Sequence, residues 1–345
     1  MKPSLTVLRG LLAGALLLAA ASAPCAGFVD VLDTPAAPST LAPRSLINGL
    51  ARAGARIVGV GQRGHIIYSD DQGRSWTQAR VPLSADLVAV CFPTARQGWA
   101  VGHDGVILHS SDAGASWSRQ LDGRTMAALI ADDYRHAGAA NKLAAQGIDQ
   151  PFLDVWFENE RNGFAVGAFN LILHTGDGGA SWQPWMERMD NPKGLHLNAI
   201  RAVGPDLYIV GEQGLVLKLA DDGSRFVALP TPYQGSYFGL VGKPGALLAF
   251  GLRGNAYRSM DGGHSWQKVA TGVQAGLTAA AVLPDARFAL LSQAGQVLLS
   301  ADDGASFHAF RQAAPGPTSA LAVAAGGKLV LAGAGGVRVQ ALPAR

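Results

Sequence analysis

Short apolar runs alternate with polar, glycine-bearing turns along most of the chain, and the third repeat shows the pattern most clearly. There, residues 152–158 (FLDVWFE), 163–167, 171–175 and the stretch from Trp182 onward predict four consecutive short strands. A turn signature, V-G-x-x-G followed by an apolar run, opens at Gly61, Gly102, Gly167, Gly211 and Gly251, with degenerate copies at Ser292 and Gly333. The intervals between these positions are 41, 65, 44, 40, 41 and 41 residues. One period therefore holds through seven units with a single insertion of about 24 residues. Four antiparallel strands per unit, seven units in one domain over residues 28–345, predict an all-β fold: a seven-bladed β-propeller with one short helical insertion.

Two stretches depart from the repeat. Residues 28–32 (FVDVL) alternate like a strand and are followed by a Pro/Ala/Ser-rich linker at 33–44; the seventh unit supplies three strands, so 28–32 is expected to complete its sheet and close the ring. The insertion covers 122–150, where Met126, Leu129, Ile130 and Tyr134 recur at helical spacing and a second amphipathic piece is expected at 139–145. Because strands alternate direction, this insertion shares a face with the V-G-x-x-G turns.

A second motif punctuates each unit. SDDQGRSW (69–76), SSDAGASW (110–117), TGDGGASW (175–182) and SMDGGHSW (259–266) share S/T-x-D-x-G-x-S-W, with worn copies at 300–307 and 219–226. In this Asp box the aspartate bonds the turn backbone, the glycine takes positive φ and the aromatic pins the returning strand. Asp71 with Trp76, Asp112 with Trp117, Asp177 with Trp182, Asp261 with Trp266, and Asp302 with Phe307 are accordingly structural staples. One copy per repeat, dispersed around the chain, is not the arrangement of metal ligands or catalytic acids.

Composition narrows the function. Residues 1–27 carry Lys2 and Arg9 ahead of a short run rich in small apolar residues, which reads as a cleavable signal peptide and predicts a periplasmic protein. Pro24 beside Cys25 argues against a lipid anchor there. Loss of Cys25 with the signal leaves Cys91 as the one cysteine, inside an apolar strand where burial disfavours a nucleophile. A net charge of +3 without charge blocks gives no reason to expect nucleic acid as a partner. The eight histidines show no metal-binding spacing, so neither a metal nor a cofactor is expected. Residues 59–64 match G-x-G-x-x-G, but a strand follows where a phosphate-binding helix is required, which excludes a nucleotide site.

The boxes, the V-G-x-x-G turns and the export signal together resemble the photosystem II stability/assembly factor family, over nearly the whole mature chain. The resemblance implies a non-enzymatic scaffold that binds a membrane or exported envelope protein. The face shared by the turns and interblade loops carries the candidate binding residues Arg63, His103, Asp104, Phe169, Trp185, Arg188, Glu212, Tyr237, Phe238 and Arg253. The alternatives are glycan binding, with Trp185, Tyr233, Tyr237 and Phe238 as stacking rings, and a sialidase-like glycoside hydrolase. A hydrolase of that kind needs an arginine cluster, a tyrosine nucleophile and acids converging at the axis, and the sequence supplies these only by selection from a longer set. No catalytic residues are assigned.

Overall fold

The computed structural model describes residues 29–137, 150–310 and 316–342. The expected signal segment and the second helical piece lie outside them. The chain divides into two compact units, Met1–Asp30 and Val31–Arg345. Only two residues of the first are described, and the second contains the repeats.

Seven antiparallel sheets follow one another along the chain, six of four strands and the last of three. Blade 3 is representative: Phe152–Phe157, Gly163–Gly167, Ile172–Thr175 and Gln183–Pro184, each strand pairing with the next. Second strands such as Gly98–Gly102 and Gly163–Gly167 are buried at every residue, since a neighbouring blade covers each face. Hence these strands are apolar runs rather than alternating ones. The core lies between blades, as where Val58, Val60, Ala100, Leu108 and Trp117 join the first two.

The inner strands show how the blades are stitched. Each carries a bulge after its first residue, as between Ile47 and Gly49 or Leu197 and Ala199. At the bulge position Asn48 donates to Leu87 O (2.8 Å), Asn198 to Tyr237 O (2.7 Å) and Thr278 to Thr318 O (3.2 Å), in each case across to the next blade. Ser319 donates to Ile47 O (2.8 Å) and closes the ring between the last blade and the first.

The expected closing strand is corrected. Val31–Asp33 forms a 3₁₀ turn, and the sheet of Thr318–Val323, Lys328–Gly333 and Gly336–Ala341 has no fourth strand among the described residues. Leu32 is instead buried in the crease between blades 1 and 2, where Ser84 N–H donates to Val31 O and Ala36 N–H to Val81 O. Those bonds and that burial satisfy the segment without a sheet edge.

The Asp boxes are staples at atomic detail. Asp71 Oδ1 accepts from Arg74 N–H (3.0 Å), Ser75 N–H (2.9 Å) and Ser69 Oγ (2.8 Å), while its Oδ2 accepts from Ser75 Oγ (2.6 Å). Gly73 sits at φ 88°, and the Trp76 indole donates to Gly73 O (3.1 Å). Asp112, Asp177, Asp261 and Asp302 repeat the carboxylate pattern. These bonds hold the carboxyl groups below their usual range, Asp177 at about 2, through Ser181 first. The worn copy at 219–226 lacks the leading Ser or Thr; Asp221 holds the box position, and it is the neighbouring Asp222 that accepts from Ser224.

The insertion begins with one helix, α1 (Gly123–Ala137). Asp122 Oδ1 accepts from Thr125 N–H (3.1 Å) as an N-cap, and Gly123 N–H donates to Asp104 O (2.7 Å), which ties the helix to the blade 2 turn. Met126 and Ile130 are buried against the blade 2 and 3 core.

Candidate binding face and axial channel

The turns between second and third strands and the interblade connections emerge together on one face. In blades 1 to 5 the turn centre is held left-handed: Arg63 (φ 54°), Asp104 (56°), Phe169 (53°), Gln213 (51°) and Arg253 (56°), each followed by a second residue of positive φ. Two successive positive φ values make the hairpin turn whose twist matches the flanking strands, and Asn, Asp or Gly is the usual first residue. Arg, Phe and Gln there cost about 1–2 kcal/mol each in steric strain. At these left-handed positions Arg63, Phe169, Gln213 and Arg253 are exposed.

Arg63, His103 and Arg253 are exposed, and Asp104 is half-buried. Phe169, 49% exposed, meets the His196 ring edge-on with centroids 4.5 Å apart. Glu212 Oε2 accepts from His196 N–H (3.0 Å), so these three residues form one cluster between blades 3 and 4. On the blade 5 side Phe238 (36% exposed) and Leu252 (41%) form an apolar lip, their loops joined by Leu252 N–H to Ser236 O (3.0 Å). Leu252 was absent from the sequence candidates; its position beside Arg253 in the turn was the available signal.

Two candidates turn inward and are corrected as contact residues. Trp185 is 7% exposed, packed edge-on to Phe164 (5.1 Å) and beside His174 (4.9 Å), with exposed Arg188 over its ring at 4.9 Å. Its N–H continues the blade ladder to Ile172 O. Tyr237 is fully buried among Tyr233 and Tyr257, and burial pushes its phenol well above the usual range. It occupies the first inner-strand position, where Ile47, Leu87, Phe152, Leu197 and Leu277 are also fully buried. Of the four proposed sugar-stacking rings, Phe238 is exposed and Tyr233 is half-buried.

The inner strands surround an axial cavity of about 360 Å³. The residue after each bulge is Gly49, Ala89, Asp154, Ala199, Gly239, Ala279 or Ala320. Small residues belong there because the next blade is close: a Cβ on Gly49 would lie 2.8 Å from Val88 O. Asp154 is the exception. Its carboxylate is buried, accepts from Ile200 N–H (2.8 Å) and pairs with Arg201 Nη1, which also donates to Ile200 O (2.7 Å). Burial raises the Asp154 carboxyl above its usual range, against the opposing pull of Arg201. Cys91, half-buried nearby, has its thiol pushed up to about 11 by burial. Among the described residues no group of three or more His, Cys, Asp or Glu gathers as a metal site.

The family model described as photosynthesis system II assembly factor YCF48 matches residues 53–126 and 139–331. A photosystem II assembly lipoprotein Ycf48 from Synechococcus sp. (strain CC9902) is 32% identical over 123 residues, which cover 34% of this chain and 37% of that relative's length. Among solved structures, YCF48 bound to D1 peptide superposes with a TM-score of 0.66 at 16% identity, covering 87% of this chain and 94% of that one. YCF48 from Cyanidioschyzon merolae gives 0.64 at 14%, over 90% and 98% of the respective chains. A streptogramin B lyase gives 0.68 at 13%, over 90% and 97%. The structural likeness carries the propeller fold, and that fold serves binders and enzymes alike.

Proposed function

This chain belongs to the photosystem II assembly factor YCF48 family, and from that premise we propose that it is an exported, non-enzymatic scaffold whose turn face holds a segment of a membrane or envelope protein. The carrying observation is the set of large side chains, Arg63, Phe169 and Arg253 among them, fixed left-handed and outward-pointing on rigid turns around one face. Rigid presentation lowers the ordering cost of binding, and an apolar lip beside Arg253 suits an extended peptide with apolar and acidic positions. A YCF48 solved with a D1 peptide gives the precedent for such an act in a related protein. Among the described residues no helix is long and apolar enough to cross a membrane.

The same geometry weighs against the alternatives. Burial of Trp185 and Tyr237 removes two of four rings from a glycan platform. Tyr237, a tyrosine that a sialidase-like set could draw on, is buried as well, and Glu212 Oε2 accepts from the His196 N–H.

The test is affinity capture from intact envelope with the wild type, a Phe169→Ala/Arg253→Ala double variant and Met260→Ala, an exposed change in a box turn on the opposite face. One exported or membrane protein should be enriched by the wild type and Met260→Ala and lost from the double variant. Equal retention by all three overturns the assignment of the face.

A further inference from the structure

The axial channel carries a feature that neither the repeat nor a protein-binding turn face requires. Six blades place Gly or Ala after the inner-strand bulge; the third places a carboxylate there, and the fourth answers it with Arg201. Arg201 is not consumed by that answer. Its Nη1 alone serves Asp154 and Ile200 O, and its side chain is 48% exposed within the lining of the axial cavity. The remaining guanidinium donors, Nε and Nη2, have no protein partner among the described residues. The buried Asp154 fixes one edge of the fork and leaves the other edge presented.

Arg201 lies three residues along the strand from the bulge at Asn198, and so about 10 Å further toward the box face. At the bulge level the Asn48 and Asn198 amides donate through Nδ2 to the next blade, which leaves their Oδ1 atoms as acceptors at the cavity wall. A cation with a free planar fork at one depth and amide acceptors at another describes the complement of a small acid that also carries hydroxyl or amino donors. A volume of about 360 Å³ falls within the range of about 300–1,000 Å³ usual for small-molecule sites.

We propose that the axial channel binds a small hydroxy or amino carboxylic acid, its carboxylate on the free edge of Arg201 and its donors toward Asn48 and Asn198, with Asp154 as the residue that positions the guanidinium. The site shares Phe238 with the turn face but does not depend on what that face binds. Two-point engagement of a carboxylate needs the planar fork, which a lysine cannot supply.

Isothermal titration of the full-length protein with gluconate and with glutamate tests this, with sorbitol as the uncharged control. At least one acid is expected to bind at millimolar or lower concentration, and sorbitol is expected not to bind. Arg201→Lys retains a charge beside Asp154 and is expected to weaken binding about tenfold or more. Asp154→Ala/Arg201→Met restores the small residue of the other blades and is expected to abolish binding in a protein that still unfolds cooperatively. Asp154→Ala alone separates positioning from charge: it makes the site more positive, yet affinity is expected to fall because the fork is no longer held. Binding of neither acid, equal binding of sorbitol, or full affinity in the double variant overturns the site. Tighter binding in Asp154→Ala overturns the positioning role.

Discussion

Removing Arg201 while keeping Asp154 should be among the most damaging single changes to a partly exposed side chain in this protein. Asp154 is 4% exposed and accepts a hydrogen bond from Ile200 N–H, so Arg201→Met leaves a largely buried carboxylate without its charge partner. Breaking a buried pair by removing one partner costs about 3–5 kcal/mol, because a charge is left uncompensated. Half of Arg201 is exposed, which places the expectation near the lower figure. With an unfolding entropy of about 2.1 cal/mol/K per residue over roughly 300 residues, that loss lowers the Tm by about 5 °C. Urea unfolding of wild type, Arg201→Met and Asp154→Ala/Arg201→Met at pH 7 reads the effect, and the double variant should recover most of it. The sign with pH is fixed. Without Arg201 the folded Asp154 pKa rises further above its ordinary 3.8, so the deficit is small below about pH 4 and grows as pH rises through the folded value. A loss under about 1 kcal/mol for Arg201→Met, well below the buried-pair figure, or a double variant no better than the single, refutes the reasoning.

Other consequences follow from the turns, boxes and core. Arg253→Gly relieves a left-handed residue at some gain in unfolded-state entropy; a net stabilisation of about 0.5–1 kcal/mol in urea is expected, together with weaker partner capture. Trp185→Ala should cost about 3–5 kcal/mol as a buried aromatic truncation, so any loss of partner binding should track unfolding and vanish under stabilising conditions. Box carboxylates held below their usual range contribute stability that is present above about pH 4 and lost as pH falls from 3.8 toward the folded value, about 2 for Asp177. An acid titration followed by tryptophan fluorescence should show that loss, and Asp177→Asn should flatten it. The Cys91 thiol, half-buried and raised to about 11, should react with maleimide at pH 7 much more slowly than after denaturant is added.

The blades were legible because their determinants are local and repeated. Each box satisfies its own turn within eight residues, and each V-G-x-x-G places positive φ where the strand pair needs it, so neither depends on a distant partner. The N-terminal segment was not legible: period-two alternation at 28–32 states that a strand is possible, whereas its place in the crease depends on Val81, Ser84 and Leu32 meeting across about fifty residues. Tyr237 was recoverable. Aligned by repeat, it falls at the inner-strand position occupied by Ile47, Leu87 and Phe152, all buried, and that register outweighs its residue type. Asp154 likewise stands out against six small residues once the repeats are superposed. Trp185 required more, because its burial follows from the pairing of its N–H with Ile172 O at the end of a two-residue strand.

The central claim, that the turn face binds a segment of an exported or membrane protein, is tested most directly by photo-crosslinking in living cells. A photoreactive residue is placed at Phe169, at Arg253 and, on the opposite face, at Met260, all exposed positions. The account predicts one and the same exported or membrane protein crosslinked from Phe169 and Arg253 and absent from Met260. Crosslinking of that protein from Met260 alone, or of none from either turn position, contradicts it.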